Sequence, residues 1–239
     1  MFRERLPALV KRYPYVLETA VMAATTKTPR TTARNRSRTE SVTIRRIFTA
    51  FTDSPVGRIY LASTDTSLVR VELPGDNAAI RMNVWLAMRF AQAKVSRGIT
   101  PVLRHATEQL AEYFAGKRAA FDLPLMMVGT DFQVDVWKAV EKVPFGSHLS
   151  YSEISQNVGR PKAVRATGRA QGANPLPIVI PCHRVVGADG TLTGYAGGLE
   201  LKSWLLGHEE RFLPLLSERT AGWRLAKGLA EYPELNSKN

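Results

Sequence analysis

Cysteine is nearly absent from this sequence, since Cys182 is the only one among 239 residues. A single cysteine excludes an internal disulfide framework and a cysteine-rich zinc site, and it favours a reducing compartment. Long apolar runs are also missing, and no secretory signal is recognisable. We therefore expect a cytoplasmic protein that makes no contact with membranes, or a nuclear one if the organism is a eukaryote.

Acidic residues are scarce, with 21 Asp and Glu against 33 Lys and Arg. Much of the imbalance lies in residues 1–50, and such an excess is weak evidence for nucleic acid binding when it stands alone. A local excess is more informative, because residues 147–184 have Glu153 as their one acid. The basic side chains of that segment are Arg160, Lys162, Arg165, Arg169 and Arg184. The segment therefore predicts a surface for a polyanion.

The order of the sequence patterns predicts an α+β protein in four parts. Residues 1–40 are rich in Thr, Arg and Ser, and we expect a disordered basic extension because such a segment buries little apolar surface. Residues 41–128 carry strand patterns followed by helical ones and predict a small N-terminal α+β domain. Residues 129–211 predict a mainly helical second domain, and residues 212–239 a C-terminal tail.

The first domain has readable elements but no pattern of a chemical site. β-Branched and aromatic residues predict strands at 43–51, 58–62 and 68–73. Helical periodicity predicts one helix from Ile80 to Val95 and another that ends at Gly116.

Two short helices joined by a tight turn are predicted next. Ser150 or Ser152 is a suitable N-cap for the first helix, and Gly159-Arg160-Pro161 forms the turn before a second helix, Lys162–Gln171. The basic residues at helical spacing on the second helix are Lys162, Arg165 and Arg169. The arrangement is typical of a helix-turn-helix that contacts nucleic acid, and an ordinary solvated face is the alternative.

The segment around Cys182 carries the clearest sign of chemistry. An apolar run, Ile178–Ile180, leads into it, and His183 and Arg184 follow directly. We interpret the run as a strand that brings an activated cysteine to the floor of a pocket, because a nearby His or Arg lowers the pKa of a thiol. A small buried hydrophobic residue is the alternative role of a lone free cysteine.

Two further patterns follow the cysteine. Gly194–Gly198 is a loop of small residues around one aromatic, which can wrap around a flat ligand or form a plain turn. Residues at helical spacing then predict a final core helix, namely Leu201, Trp204, Leu205 and His208.

Together these motifs closely resemble the O6-alkylguanine-DNA alkyltransferases, a family of DNA-repair proteins. The most specific element is the run Ile180-Pro181-Cys182-His183-Arg184-Val185-Val186. Its companions are Phe132-Gln133-x-x-Val136-Trp137, Pro144-Phe145-Gly146, Ser150-Tyr151, Arg160-Pro161-Lys162-Ala163-x-Arg165-Ala166, Asn174-Pro175, Gly194-Tyr195-x-Gly197-Gly198 and Trp204-Leu205-Leu206-x-His208-Glu209. A weaker match extends back to about residue 45 through Asp53-Ser54-Pro55-Val56-Gly57 and Leu110-x-x-Tyr113-Phe114-x-Gly116.

The resemblance implies roles for the catalytic residues. Cys182 is similar to the family's alkyl acceptor, His183 to a general base that acts through a water, and Glu209 to the residue that orients the imidazole. Asn174 is similar to the family's hinge asparagine before the cysteine. Tyr151 is similar to the residue that crowds a phosphate and helps to protonate the leaving guanine.

The resemblance also implies a DNA-binding mode, in which the helix-turn-helix enters the minor groove and the damaged base is flipped out of the duplex. Arg165 is similar to the side chain that takes the base's place in the stack. The other DNA contacts expected are Tyr151, Lys162, Ala166, Arg169 and Arg184. The pocket residues expected around the flipped base are Val185, Tyr195, Ala196 and Lys202.

The fold implied is an RNase H-like α/β domain followed by the helical DNA-binding domain. The resemblance further implies a monomer without cofactor or metal, which transfers one alkyl group per molecule from O6-alkylguanine, and from O4-alkylthymine, in double-stranded DNA. Two alternatives stay open. One is a non-catalytic binder of alkylation damage with the same fold, and the other is a Cys-His hydrolase or acyltransferase that acts repeatedly on a small substrate.

Overall fold

The computed structural model describes residues 44–226, with side chains as far as residue 216. The expected extension, residues 1–40, lies outside the described residues. The first half contains strands β1 (Arg46–Thr52), β2 (Ile59–Ser63) and β3 (Leu68–Glu72), helix α1 (Ala78–Arg89), strand β4 (Lys94–Arg97) and helix α2 (Pro101–Phe114). The mixture of sheet and helices confirms the α+β prediction.

The four strands form one mixed sheet in the order β3-β2-β1-β4. β1 pairs antiparallel with β2, β2 pairs antiparallel with β3, and β4 lies parallel to β1. Ile59, Leu61 and Val71 are fully buried and share one hydrophobic cluster with Leu103 and Leu110 of α2. The sheet and α2 are therefore held together by apolar burial, which is the main favourable term in folding.

The predicted helix from Ile80 to Val95 is wrong in its second half. α1 ends at Arg89, and Lys94–Arg97 forms the edge strand β4, with Val95 paired to Ile47 of β1. The strand is short and mostly exposed, so its sequence lacks the alternation of buried and exposed residues that a half-buried strand shows. Its conformation is imposed by pairing with β1 and not by local preference.

The second half is mainly helical. Its elements are α3 (Asp131–Glu141), β5 (Leu149–Ser150), α4 (Tyr151–Asn157), α5 (Val164–Gly172), a 3-10 turn (Cys182–Arg184), β6 (Val185–Val186) and α6 (Leu199–Ala226). Of the two N-cap candidates for α4, Ser150 is the cap, in a capping box with Glu153. β5 and β6 pair in parallel, with Ser150 opposite Val186, so the start of α4 lies beside the cysteine turn.

The predicted strand before Cys182 is not formed. Residues 174–181 are irregular, and Ile178 has a φ of 73°, in the left-handed region that an isoleucine rarely adopts. The prolines at 175, 177 and 181 lack the N–H that a strand would donate to its neighbour. The run is apolar because it lies in the core, where Leu176, Ile178 and Ile180 are fully buried.

Helix α6 extends beyond Arg211, where we expected a tail to begin. Phe212 lies against Gly116 and Leu213 against Gly146, at two positions where a Cβ atom would meet those side chains at 2.1 Å and 2.9 Å. These contacts stabilise the continuation of the helix beyond Arg211, which the sequence pattern did not predict. Trp204, predicted as a core residue of this helix, is 39% exposed and stacks on His208 at 5.0 Å between ring centroids.

Leu103 and Leu110 also share their cluster with Val136, Trp137 and Leu205, so the two halves have a common core. Within residues 44–226, no helix combines the length and the apolar character needed to cross a membrane.

Candidate active site

Cys182 opens the 3-10 turn and is 5% exposed. The side-chain amide of Asn174 fixes its position, because Nδ2 donates to the Ile180 carbonyl at 2.8 Å and to Cys182 Sγ at 3.1 Å. Asn174 Oδ1 in turn accepts from the Leu176 N–H at 2.9 Å. One buried amide therefore closes the irregular loop and also donates a hydrogen bond to the sulfur.

The thiol is protonated at neutral pH. Burial raises the pKa of Cys182 to about 11, although the hydrogen bond from Asn174 and the charge of Lys202 act in the opposite direction. This corrects the expectation that the neighbouring His183 and Arg184 lower the pKa of the thiol. Because only the thiolate is a strong nucleophile, the site needs a group that removes the proton during reaction.

His183 is the nearest candidate for that group in the sequence. It is fully buried, and its Nε2 lies 2.7 Å from Oε1 of Glu209, which is also fully buried. Burial lowers the pKa of His183 against the opposing effect of Glu209, so the imidazole is neutral at pH 7. A carboxylate can only accept, so Nε2 carries the proton and donates it, and the lone pair is on Nδ1. Among the described residues, Nδ1 has no hydrogen-bond partner.

Glu209 is ionised despite its burial. Burial alone would raise its pKa, but the Arg184 guanidinium and His183 together hold it well below the usual range. Arg184 Nε donates to Oε2 at 2.9 Å and Nη2 donates to Oε1 at 2.9 Å, in a bidentate pair. The third arm of Arg184, Nη1, donates to the Val143 carbonyl.

The expectation that Arg184 contacts DNA is therefore wrong. Its side chain is 5% exposed and its donors are directed to Glu209 and Val143. A buried arginine is strongly destabilising unless it has such partners. Here it neutralises the carboxylate to which His183 is hydrogen-bonded. The sequence could not separate this role from a surface role, because Arg184 follows the cysteine in the same basic segment.

Two donors to Glu209 were missed by sequence reasoning. Tyr113 Oη donates to Oε1 at 2.9 Å, and the Gly146 N–H donates to Oε2 at 3.0 Å. Tyr113 fits the apolar face of α2 and gave no sign of a polar role. Both residues occur in motifs that carry the family resemblance, and that was the one available signal.

The expected pocket residues are only partly brought together. Lys202 is fully buried, and its Nζ donates to the carbonyls of Val185 at 2.6 Å and Thr193 at 2.7 Å. Tyr195 lies edge-on to His183 at 6.4 Å between ring centroids, and its hydroxyl is buried without a partner among the described residues. Ala196 is exposed. Lys202 thus ties the loop before Tyr195 to the strand that follows the cysteine turn.

The helix-turn-helix is formed by α4 and α5. Arg165 and Arg169 are exposed on α5, whereas Lys162 lies in the turn before that helix and not within it as predicted. Ala166 is half-buried. Tyr151, the first residue of α4, has its hydroxyl 3.4 Å from the Gly194 carbonyl, a long contact that leaves the hydroxyl available to a ligand.

No metal site is evident within the described residues, because no three His, Cys, Asp or Glu side chains are grouped so that they could hold an ion.

Comparisons with known proteins identify both halves. One family model, described as the 6-O-methylguanine DNA methyltransferase ribonuclease-like domain, matches residues 47–127, and another, described as the DNA binding domain of the same protein, matches residues 131–211. The methylated-DNA--protein-cysteine methyltransferase of Methanosarcina barkeri is 41% identical over 170 residues, which are 67% of this chain and 96% of that protein. The constitutive protein of the same name from Bacillus subtilis is 42% identical over 158 residues, 66% of this chain and 92% of its own.

A solved structure gives the same result. The crystal structure of Mycobacterium tuberculosis OGT in complex with DNA aligns with a TM-score of 0.60 at 38% sequence identity, and the alignment covers 69% of this chain and 94% of that one. The predicted RNase H-like fold followed by a helical DNA-binding part is thereby confirmed.

Proposed function

Because this chain belongs to the 6-O-methylguanine DNA methyltransferase family, we propose that it repairs DNA by transferring the alkyl group of O6-alkylguanine to Cys182, once per molecule. The observation that carries the proposal is a neutral buried thiol that accepts from Asn174 beside a neutral His183 bound to an ionised Glu209. A cysteine that served only as a hydrophobic residue would need none of these partners.

The proposed chemistry is a displacement at carbon. His183 Nδ1, through a water, takes the proton from the thiol, and Sγ attacks the alkyl carbon as its bond to the guanine O6 breaks. The bonding electrons pass to the base, which takes up a proton from the Tyr151 hydroxyl and becomes guanine. Cys182 is left as a thioether, and because the chain has no second cysteine to release the group, we expect a single turnover.

Burial of the sulfur requires that the lesion leaves the duplex. A base that is stacked in DNA cannot reach a thiol that is 5% exposed, so we propose that the base is flipped and that Arg165 occupies the gap. The exposed cations of α5 and its preceding turn would bind phosphates, with half-buried Ala166 allowing close approach to the minor groove.

The flipped base would lie at the loop that Lys202 holds, beside Val185, Tyr195 and Ala196. The hydroxyl of Tyr195, which has no partner in the part of the chain that the structure describes, is a donor that a base could use. The same pocket would accept O4-alkylthymine, whose alkylated oxygen is also on the Watson–Crick edge. We propose that the protein acts as a monomer on double-stranded DNA and needs no cofactor or metal.

Mass spectrometry of the Cys182 peptide tests the proposal. After incubation with an oligonucleotide duplex that contains O6-methylguanine, the peptide should gain one methyl group, and the yield should stop at one per protein molecule. Cys182→Ala is the control, which should bind the duplex and leave the lesion unchanged. Binding by the wild type without methyl transfer would instead favour a non-catalytic damage binder, and repeated turnover of a small acyl substrate would favour a hydrolase.

A further inference from the structure

Tyr113 connects the two halves of the chain at the active-site carboxylate. It lies near the end of α2, in the part matched by the ribonuclease-like model, and its Oη donates to Glu209 Oε1 at 2.9 Å. The Tyr113 carbonyl also accepts from Nε2 of His208 at 2.9 Å. The side chain and the backbone of one residue therefore contact two consecutive residues of α6.

The packing around Tyr113 holds its hydroxyl in place. The residue is fully buried, and its ring contacts Phe114, Phe121 and Phe145 at 5.2–6.0 Å between centroids. A phenylalanine would satisfy these apolar contacts equally well, whereas a buried hydroxyl costs free energy unless it has a partner. The hydroxyl is thus explained by its acceptor, Glu209, and not by packing.

The acceptor oxygen is shared with the imidazole. Glu209 Oε1 accepts from Tyr113 Oη at 2.9 Å, from His183 Nε2 at 2.7 Å and from Arg184 Nη2 at 2.9 Å. Burial and the charge of Glu209 raise the pKa of Tyr113 well above its usual value, so the phenol only donates. It withdraws part of the negative charge that would otherwise act on His183.

We propose that Tyr113 is a positioning residue of the alkyl transfer, by which the N-terminal half of the chain fixes the Glu209 carboxylate and limits how strongly it holds the proton of His183. The expected effect of Tyr113 on the rate of transfer rests on the proposed function. Its expected effect on the pKa of His183 does not. Within the described residues, the Tyr113 hydroxyl has its hydrogen bond to Glu209 and none to the thiol, so it acts through Glu209.

The groups that face His183 determine in which direction its pKa should change when the Tyr113 hydroxyl is removed. Glu209 and Lys202 approach from α6, Cys182 and Arg184 belong to its own turn, and Tyr195 approaches from the loop. Removing the Tyr113 hydroxyl leaves the other groups unchanged and makes Glu209 a stronger acceptor for the His183 proton. The pKa of His183 should therefore rise, and a larger fraction of the imidazole should be protonated at a given pH.

Titration of the histidines by NMR tests the proposal without DNA. The chain has four histidines, so the ring signals of His183 can be assigned by comparison with a His183→Gln variant. Tyr113→Phe should raise the pKa of His183 relative to the wild type. Tyr60→Phe removes a hydroxyl from the half-buried surface of β2 and should leave the His183 titration unchanged. An unchanged or lowered pKa of His183 in Tyr113→Phe would overturn the proposal.

A double-mutant cycle separates this role from a general effect on folding. In a Glu209→Gln background, Tyr113→Phe should produce no further change in the His183 titration, because the charge through which it acts is gone. An equal shift in both backgrounds would show that the hydroxyl acts by another route. The melting temperature of each variant shows that the folded state is being compared.

The rate of methyl transfer provides the second readout. In Tyr113→Phe, the acid limb of the single-turnover rate profile should move to higher pH, so that on this limb the rate falls about three- to tenfold, the size of effect expected for one hydrogen bond. A lower rate with an unshifted profile would indicate only a structural role. If the wild type transfers no methyl group, the proposed function fails, while the titration still decides whether Tyr113 controls His183.

Discussion

The buried hydrogen-bonded group of His183, Glu209, Arg184 and Tyr113, which we call the relay, and the exposed face of α5 use charge in opposite ways. The charged side chains of Glu209 and Arg184 are buried, and both carboxylate oxygens of Glu209 accept hydrogen bonds from the protein. On α5, Arg165 and Arg169 are exposed to solvent. A buried charge is stable only when its partners are already in place, whereas an exposed cation retains its capacity to bind a phosphate. The chemistry and the affinity for DNA should therefore respond to different perturbations.

The largest expected difference between the two regions is in folding stability. Arg184→Ala leaves Glu209 buried without its bidentate partner, and we expect the free energy of unfolding to fall by about 3–5 kcal/mol. Arg165→Ala removes an arginine of the same size from the surface and should change it by less than about 0.5 kcal/mol. Urea unfolding followed by fluorescence measures both. Similar losses of unfolding free energy in the two variants would contradict the expected difference between a buried and an exposed arginine.

The second test concerns the thiol. With a pKa of about 11 caused chiefly by burial, the reaction of Cys182 with iodoacetamide should rise about tenfold for each pH unit between 7 and 10. Since Cys182 is the only cysteine, all labelling reports on this one atom. The urea-unfolded chain is the matched control, and its rate should level off near pH 9, as for an ordinary thiol. A plateau below pH 9 in the folded protein would show that the thiol is already ionised at rest.

The two regions also differed in how far the sequence could predict them. The helix-turn-helix was predictable because caps, turn glycines and helical periodicity are local, and Ser150 and the Gly159 turn formed as expected. In the relay, the family motifs predicted the roles of His183 and Glu209 but not the hydrogen bond from Tyr113. Tyr113 is 96 positions from Glu209, and no local pattern reports a contact of that range.

The errors have the same physical origin. Strand β4 and the loop before Cys182 take conformations set by tertiary contacts, so local propensity misjudged both. Arg184 was expected to contact DNA because it belongs to the same basic segment as Arg165 and Arg169, and only the fold shows that its side chain is buried. The raised pKa of Cys182 was missed for a similar reason, since the sequence shows neighbouring cations but not the extent of burial.

The third test asks whether Arg165 acts on the DNA or on the chemistry. If it fills the gap left by a flipped base, Arg165→Ala should slow methyl transfer from duplex DNA by about ten- to a hundredfold, because flipping costs a few kcal/mol. Transfer from the free base O6-methylguanine, which needs no flipping, should stay within about twofold of the wild type, since Arg165 is absent from the relay's hydrogen bonds. Equal losses with both substrates would assign Arg165 a role in the buried region instead.

The smallest effect is expected at Arg169. Its removal should change the salt dependence of DNA affinity and leave the rate of methyl transfer nearly unchanged. An exposed arginine on α5 that binds one phosphate releases about one counterion, so Arg169→Ala should lower the slope of log affinity against log salt by about 0.9. Arg89→Ala, on the exposed surface of α1, is the matched control and should leave the slope unchanged. The saturated transfer rate should be unaffected, because salt and surface charge do not reach the enclosed Glu209. A slope unchanged by Arg169→Ala would remove this residue from the DNA-binding face.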